Sequence, residues 1–174
     1  CIINAPACTA VDKVESEPQK ADLINGIATG NLAEVAKSLD ALLVHISTDY
    51  VFSGTSHRPI REDDLTAPVS AYARSKWLGE QKISETGGKS VIIRTSWLYS
   101  EFGVNFVKSM INYGREREVL NVVFDQIGTP TYAADLTRII LELIPQWLTL
   151  SSPEVFHYSN EGVCSWYDFS VMIM

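Results

Sequence analysis

Three residues of this sequence have the chemistry to act on a carbonyl group. Tyr72 and Lys76 stand four positions apart in a segment with helical spacing, so both side chains should lie on one helix face. A nearby ammonium favours the phenolate and lowers a phenol pKa toward neutrality, which suits a proton donor to a ketone oxygen. Thr48 follows an apolar run typical of a buried strand, and its hydroxyl could share that oxygen.

Each of these residues also has a simpler interpretation. A Tyr-x-x-x-Lys pair arises by chance roughly 0.3 times in a chain of this composition, so by itself it fits a solvated helix face. Thr48 could cap a turn, and Asp49 could be a turn residue or a ligand contact. His45, in the middle of an apolar strand, is better explained as a hydrogen-bonded core histidine than as a base. Trp97, after a predicted strand, could be a stacking platform or could pack against a loop.

Composition and charge exclude several classes of protein. The chain has 46% hydrophobic and 20% charged residues, as expected for a globular domain with a core. A net charge of -7 argues against nucleic acid or an anionic membrane as the main partner. No apolar run is long enough for a membrane span, and no signal peptide opens the sequence. The prediction is therefore a cytoplasmic protein.

Cysteines and acidic residues give no sign of a metal site. The three cysteines, Cys1, Cys8 and Cys164, are odd in number and form no Cys-x-x-Cys pair. The acidic residues Asp12, Glu15 and Glu17 are most simply a solvated face, because their spacing matches no ligand set. We therefore predict no metal.

Hydrophobic periodicity predicts alternating strands and helices. Predicted strands cover residues 1–5, 41–46, 90–95, 119–124 and 155–158. Predicted helices cover residues 19–39, 71–85, 105–115, 133–147 and a last run from 166. Ser70 should cap the second helix, and Gly26 and Gly30 in the first helix indicate close packing against a sheet. This order is typical of an α/β, Rossmann-like, mostly parallel and doubly wound sheet.

Both ends of the sequence fall inside predicted elements. Cys1 lies inside an apparent strand and Met174 inside an apparent helix, so we expect both ends to be truncated.

Several motifs in collinear order carry a family resemblance. They are residues 4–13, Ser-Thr-Asp-Tyr-Val-Phe at 47–52, the Tyr72 and Lys76 pair, Arg-Thr-Ser-Trp at 94–97 and Asp-Gln-Ile-Gly-Thr-Pro-Thr at 125–131. Together they closely resemble the dTDP-4-dehydrorhamnose reductase family of extended short-chain dehydrogenases/reductases. The likeness covers nearly the whole chain, and linked motifs in order are far more specific than Tyr-x-x-x-Lys alone.

The resemblance implies a reaction and a set of roles. The reaction is NADPH- or NADH-dependent reduction of the C4 ketone of dTDP-4-dehydro-6-deoxy-L-mannose to dTDP-L-rhamnose, in polysaccharide biosynthesis. Tyr72 would be the proton donor, Lys76 would lower its pKa and hold the nicotinamide ribose, and Thr48 would hydrogen-bond the ketone.

The resemblance also implies two partial regions. Residues 1–100 would form a partial NAD(P)-binding, Rossmann-like domain that lacks its first strands. Residues 101–174 would form part of a small substrate-binding region with helices and a strand that returns to the Rossmann-like sheet.

The resemblance further implies binding segments. The loop Ala7, Cys8 and Thr9 would contact the cofactor together with the catalytic Tyr and Lys. Thr48, Asp49 and Trp97 would contact the dTDP-sugar. The oligomeric state stays open, a homodimer being one option.

Two departures from the family pattern bear on the cofactor. Pro6 stands where the family usually has Ala, which restricts the loop beside the cofactor. The family's glycine-rich turn, which places backbone N–H groups against the pyrophosphate, has no counterpart in the sequence. We therefore expect weak or absent cofactor binding and little turnover by this chain alone.

Two other functions share these motifs. The regulatory β-subunit of methionine adenosyltransferase has the Ser-Thr-Asp-Tyr-Val-Phe and Tyr-x-x-x-Lys signatures but acts as a partner subunit. A sibling reductase acting on another 4-keto nucleotide sugar would keep the same catalytic residues and differ in its loops.

Overall fold

The chain folds into two compact units. The computed structural model describes the backbone of residues 1–174 and the side chains other than that of Asp12, so the predicted solvation of Asp12 lies outside the described residues. Unit 1 comprises Cys1–Arg94 and Leu143–His157, and unit 2 comprises Thr95–Glu142 and Tyr158–Met174.

Strands and helices alternate along most of the chain. In chain order the elements are β1 (Ile2–Asn4), α1 (Val11–Ser16), α2 (Pro18–Ala21), a π-helix (Asp22–Ile27), α3 (Ala28–Ser38), β2 (Leu43–Thr48), a 3₁₀ turn (Asp49–Val51), α4 (Ala71–Thr86), β3 (Ser90–Thr95), β4 (Leu98–Tyr99), α5 (Phe106–Glu116), β5 (Ile127–Gly128), β6 (Thr131–Tyr132), α6 (Ala133–Trp147), β7 (Pro153–His157), β8 (Cys164–Ser165) and α7 (Trp166–Ile173).

A four-stranded sheet forms the centre of unit 1. Its strand order is β1-β2-β3-β7, with β1 parallel to β2 and β3 parallel to β7. Strands β2 and β3 are buried almost throughout, because their apolar runs are covered on both faces as in parallel sheets. The predicted α/β class with a mostly parallel sheet is confirmed.

Glycines let the helices of unit 1 approach one another closely. A Cβ added to Gly26 would lie 2.5 Å from Cδ2 of Leu78, and one added to Gly79 would lie 2.4 Å from the backbone oxygen of Asn25. The prediction of close packing at Gly26 and Gly30 is correct, but the neighbour is helix α4 and not a sheet.

Helix α4 begins and ends at well-defined caps. The Ser70 hydroxyl accepts a hydrogen bond from the Ala73 N–H, as predicted, and Gly87 ends the helix in the left-handed region at φ 68°. The Glu15 carboxylate accepts the Ala71 N–H at 2.6 Å. Glu15 is exposed, as its prediction as part of a solvated face requires, and its carboxylate in addition satisfies a free N–H group at the helix N-terminus.

Unit 2 contains short strands and a cluster of aromatic rings. Strands β4 and β6 pair in parallel and β5 pairs with β8 antiparallel, each over two residues. The predicted strand at residues 119–124 is wrong: no regular strand forms there, and Val119, Val123 and Phe124 are exposed. The Val123 carbonyl instead accepts the Tyr167 N–H in the first turn of α7.

Among the residues that the structure describes, no helix is both long and apolar enough to cross a membrane.

Candidate active site

The Thr48 hydroxyl stands where strand β2 ends. β2 is buried up to this residue, and the Thr48 side chain then accepts the Tyr50 N–H at 3.2 Å, which starts the 3₁₀ turn. The hydroxyl also donates to the Asp49 carboxylate at 3.1 Å. Thr48 therefore presents a fixed hydroxyl at the carboxyl end of a central strand, the edge at which open α/β sheets bind ligands.

Tyr72 lies in the first turn of α4 and neighbours Thr48. Burial raises the pKa of Tyr72 to about 12, an increase that a hydrogen bond with the Thr48 hydroxyl partly opposes. The Tyr50 ring packs edge-on against the Tyr72 ring, with centroids 6.0 Å apart. The predicted lowering of the Tyr72 pKa by Lys76 is therefore wrong for this structure, because desolvation of the phenolate dominates.

Lys76 is a buried cation one helical turn beyond Tyr72. Its side chain is 2% exposed, and its ammonium donates to the Ile46 carbonyl at 2.6 Å. The same nitrogen lies 3.2 Å from Nε2 of His45. Burial lowers the pKa of Lys76 to about 8, and the charge of Glu80 opposes that fall.

His45 is fully buried with a partner at each ring nitrogen, as its prediction as a hydrogen-bonded core residue requires. Nδ1 lies 3.0 Å from the side-chain amide of Asn4, which also contacts the Thr29 hydroxyl at 3.2 Å. Burial, followed by the charge of Lys76, lowers the pKa of His45 well below its usual value. The imidazole is therefore neutral at physiological pH.

A buried ion pair lies one further turn along α4. Arg94 donates from Nε and Nη2 to the Glu80 carboxylate, at 2.7 Å for the shortest contact. The Ser47 hydroxyl donates to the same carboxylate at 2.5 Å, and the Arg94 guanidinium lies over the Phe52 ring. Sequence reasoning missed this network, although Glu80 continues the four-residue spacing of Tyr72 and Lys76.

The π-helix turns Asn25 toward the predicted cofactor loop. Its amide accepts the Cys8 N–H at 2.8 Å and donates to the Cys8 carbonyl at 3.2 Å and to the Ser75 hydroxyl at 2.9 Å. Cys8 and Tyr72 both pack against the core cluster of Val14, Ala21 and Ala71. Ala7 is half-buried and Thr9 is exposed. No periodicity signal marks a π-turn, so sequence reasoning missed Asn25.

Asp49 is a carboxylate with an elevated pKa. Burial raises the pKa of Asp49 to about 6, while hydrogen bonds from the Thr48 side chain and from backbone N–H groups oppose the rise. A carboxylate with a raised pKa at the end of a central strand is a candidate functional group.

Trp97 belongs to unit 2, whereas Thr48, Tyr72 and Lys76 belong to unit 1. Trp97 adopts a left-handed backbone at φ 45°, and its ring stacks on Trp166 with centroids 3.5 Å apart. Gly128 has no Cβ, and one added there would lie 2.4 Å from the Trp97 ring. The turn at 125–131 thus fits closely around Trp97, and one ring face is already covered by Trp166.

No group of His, Cys, Asp or Glu side chains within the described part of the chain has the arrangement of a metal site. The polar groups at the end of β2 include the hydroxyls of Thr48 and Tyr72, the Asp49 carboxyl group and the buried Lys76 ammonium. Hydroxyl donors stabilise negative charge that develops on an oxygen, and a protonated phenol can transfer a proton to it. The arrangement is therefore suited to converting a carbonyl group to an alcohol.

Comparisons with known proteins cover nearly the whole chain. The spore coat polysaccharide biosynthesis protein SpsK of Bacillus subtilis (strain 168) is 45% identical over 173 residues, which are 99% of this chain and 59% of that protein. A dTDP-4-dehydrorhamnose reductase structure from Clostridium acetobutylicum ATCC 824 superposes with a TM-score of 0.93 at 47% identity, covering 98% of this chain and 59% of that one.

A second solved structure contains a cofactor. It is the dTDP-4-dehydrorhamnose reductase of Bacillus anthracis str. Ames in complex with NADP, with a TM-score of 0.91 at 45% identity over 99% of this chain and 60% of that one. The chain thus spans about 59% of the length of the relatives it matches.

The match to a protein family also covers the whole chain. The family described as RmlD substrate binding domain matches residues 1–174, and the predicted resemblance is confirmed. This chain belongs to the RmlD substrate binding domain family.

Proposed function

We propose that this chain carries the catalytic part of an NAD(P)H-dependent oxidoreductase, a dTDP-4-dehydrorhamnose reductase. The reaction is reduction of the C4 ketone of dTDP-4-dehydro-6-deoxy-L-mannose to dTDP-L-rhamnose, a step in polysaccharide biosynthesis. The observation that carries the proposal is the pairing of Thr48 and Tyr72 at the end of β2, with Lys76 buried one turn away. The names of the similar proteins support the choice of substrate.

Residues of unit 1 fit a nicotinamide nucleotide by their donor chemistry. The Lys76 ammonium has three N–H groups, and its two protein neighbours leave one for a ribose hydroxyl. The loop Ala7, Cys8 and Thr9, held by Asn25, would border the cofactor beside Tyr72. When bound, NADPH or NADH supplies the hydride.

The remaining chemistry belongs to the chain's own side chains. Thr48 hydrogen-bonds the ketone oxygen, and Tyr72 donates the proton that this oxygen needs as it becomes an alcohol. The raised pKa of Tyr72 keeps the phenol protonated until a ligand is bound. Asp49 and Trp97 contact the sugar nucleotide.

We propose that one unit binds the nucleotide cofactor and the other contributes to substrate binding. Unit 1, with the parallel sheet and the Lys76 site, is the nucleotide-binding part, and unit 2 is part of the substrate-binding region. The aromatic rings of unit 2 supply the apolar surface that nucleoside rings stack on.

The test is Tyr72→Phe in a version extended to the full length of the relatives. Removing the proton donor should lower kcat about a hundred- to ten-thousandfold while cofactor affinity stays nearly unchanged. Tyr50→Phe is the matched control, because it removes a neighbouring phenol hydroxyl and keeps the ring, and it should retain activity close to wild type.

Unchanged turnover in Tyr72→Phe would contradict the catalytic assignment. Reduction of a different 4-keto nucleotide sugar would identify a sibling reductase. No reduction of any such sugar, with a tightly co-purifying catalytic subunit, would identify a regulatory subunit.

We also propose a cytoplasmic protein that binds a dTDP-sugar and not nucleic acid. The net charge of -7 supports this, because an acidic surface repels phosphate backbones. Retention of the chain on a DNA column at moderate salt, or its recovery outside the cytoplasmic fraction of cells, would contradict the proposal.

A homodimer is our proposal for the oligomeric state. The helices from Pro18 to Ser38 leave large apolar side chains uncovered, among them Leu23 at 61% exposure and Ile27 at 41%. Sedimentation should give a dimer mass for the wild type and a monomer mass for Leu23→Lys. A monomeric wild type at high concentration would contradict it.

A further inference from the structure

Lys76 is held by two neighbours that the proposed reaction does not use. The Ile46 carbonyl accepts one N–H at 2.6 Å, and Nε2 of His45 lies 3.2 Å from the same nitrogen. Both partners come from strand β2, whereas Lys76 is on α4. A long, flexible side chain that is 2% exposed is thereby fixed to the sheet.

We propose that His45 is a positioning residue for Lys76: its Nε2 accepts a hydrogen bond from the ammonium and keeps Nζ against the Ile46 carbonyl, while Asn4 fixes the ring tautomer. The inference rests on the proposed function only for its consequence in catalysis. The contact itself is a property of the folded chain.

The tautomer follows from the partners of the ring. A neutral imidazole that accepts at Nε2 must carry its proton on Nδ1, and this N–H needs an acceptor. The Asn4 amide nitrogen lies 3.0 Å from Nδ1 and 3.2 Å from the Thr29 hydroxyl, to which it donates. Amide nitrogen and oxygen have nearly the same shape and are assigned from their hydrogen-bond partners. We assign the oxygen to this position, where it accepts from Nδ1–H and from the Thr29 hydroxyl, because a neutral ring that accepts at Nε2 must donate at Nδ1.

Other ionisable groups near Lys76 do not replace this contact. Glu80 supports the ammonium charge from one turn along α4, but its carboxylate is bound by Arg94 and Ser47. Asp49 and Tyr50, beyond the end of β2, act on Tyr72. Among the side chains that the structure describes, His45 is the one that hydrogen-bonds Nζ.

The chain of hydrogen bonds from Thr29 through Asn4 and His45 to Lys76 also explains why a histidine interrupts an apolar strand. Burying an imidazole costs free energy unless its nitrogens are hydrogen-bonded, and a Leu or Val would fill the same space without polar partners. The neutral His45 ring provides a hydrogen-bond acceptor for the Lys76 ammonium without adding a charge to the interior. A carboxylate at this position would instead pair with the ammonium and reduce its availability to a ligand.

The first test is the tautomer of His45 in the wild-type chain at pH 7, by long-range ¹H–¹⁵N NMR with ¹⁵N-labelled histidine. The chain has three histidines, and the His45 signals are those missing from His45→Gln. We expect a neutral ring with the proton on Nδ1. A proton on Nε2, or an imidazolium, would overturn the proposal.

The second test is the pKa of Lys76, measured from the ¹³Cε shift of labelled lysine and assigned with Lys76→Arg. His45→Phe removes the acceptor, so the acid dissociation constant of Lys76 should rise about tenfold. His45→Gln places an amide oxygen near the position of Nε2 and should restore the wild-type value. His57→Gln, in an exposed loop, is the control and should have no effect.

Equal shifts in His45→Phe and His45→Gln would indicate general repacking and overturn the positioning role, as would no shift in either. Neither measurement requires turnover. A version extended to the full length of the relatives that has the expected tautomer and pKa but reduces no ketone would refute the proposed function alone. An active extended enzyme with an unresponsive Lys76 would refute this inference alone.

Discussion

The two units hold their side chains in different ways. In unit 1, polar groups are buried and paired: Lys76 with His45, and Glu80 with Arg94, whose side chains are 6% and 7% exposed. In unit 2, the regular pairing is limited to two-residue strands, and stacked rings such as Trp97 on Trp166 supply the packing. Large apolar side chains are exposed in both units, including Leu65 at 89% in unit 1 and Val104 at 96% in unit 2.

The contrast indicates how each unit tolerates change. A buried hydrogen-bonded network fixes positions closely, because losing one member leaves another unsatisfied in a low-dielectric interior. Ring stacking is less directional, so side chains of similar volume can replace one another at smaller cost. Unit 1 should therefore be sensitive to single polar substitutions, and unit 2 should tolerate substitutions better.

The largest expected effect on stability comes from Arg94→Met. It leaves the Glu80 carboxylate buried without its ion partner and should lower the free energy of unfolding by about 3–5 kcal/mol in urea titrations. Arg138→Met in unit 2 is the control, since its pair with Asp135 is exposed and should contribute under about 1 kcal/mol. Equal losses of unfolding free energy in Arg94→Met and Arg138→Met would contradict the contrast between the two units.

Replacing a helical glycine by alanine should lower the stability of the chain in unit 1 and raise it in unit 2. In α4, Gly79→Ala forces a Cβ against the Asn25 backbone and should destabilise the chain by about 1–3 kcal/mol. In α5, the added Cβ of Gly114→Ala meets only the tip of the flexible Met174 side chain. Helix propensity should then dominate, with a gain of up to about 1 kcal/mol. Calorimetric melting temperatures would show both, and a stabilised Gly79→Ala would refute the close packing.

The smallest expected effects are on the pH dependence of stability. They come from two carboxylates whose contributions change in opposite directions as the pH rises. The pKa of Asp49 is raised by burial from 3.8 to about 6, so its contribution to stability is lost as pH rises through that interval. The Ser165 hydroxyl and N–H lower the pKa of Asp168, whose contribution is present at neutral pH and lost on acidification.

Unfolding free energies measured from pH 3 to 7 would test this pair. Asp49→Asn should remove a decline in stability between pH 4 and 6. Asp168→Asn should cost stability at pH 7 and little at pH 3. A pH profile that is unaffected by Asp49→Asn would show that the carboxylate is not desolvated.

Local features of the fold could be predicted from sequence because they depend on near neighbours. The Tyr72 and Lys76 face of α4, its Ser70 cap and strand β3 all follow from spacing and residue type. The β-branched run at 119–124 has the propensity of a strand, but propensity alone provides no partner strand, and none pairs with it among the described residues.

The candidate site could be located but not described from sequence. The partners of Lys76 lie some thirty positions away on another element, at separations of 30 and 31 residues. The rise of the Tyr72 pKa depends on how much surrounding structure excludes water, which spacing cannot indicate. The π-helix that directs Asn25 has no distinct periodicity signal.

The contact between Gly79 and the Asn25 carbonyl has a consequence for recombination between relatives. The two positions lie in separate segments, yet the backbone of the π-helix occupies the space that a side chain at position 79 would need. Chimeras that join the first half of this domain to the second half of a homologue must therefore inherit residues 22–27 and position 79 from compatible parents. A crossover between these two segments could pair the π-helix of one parent with a larger residue at position 79 from the other. The Cβ at position 79 would then clash with the Asn25 carbonyl, and the two helices could not pack together.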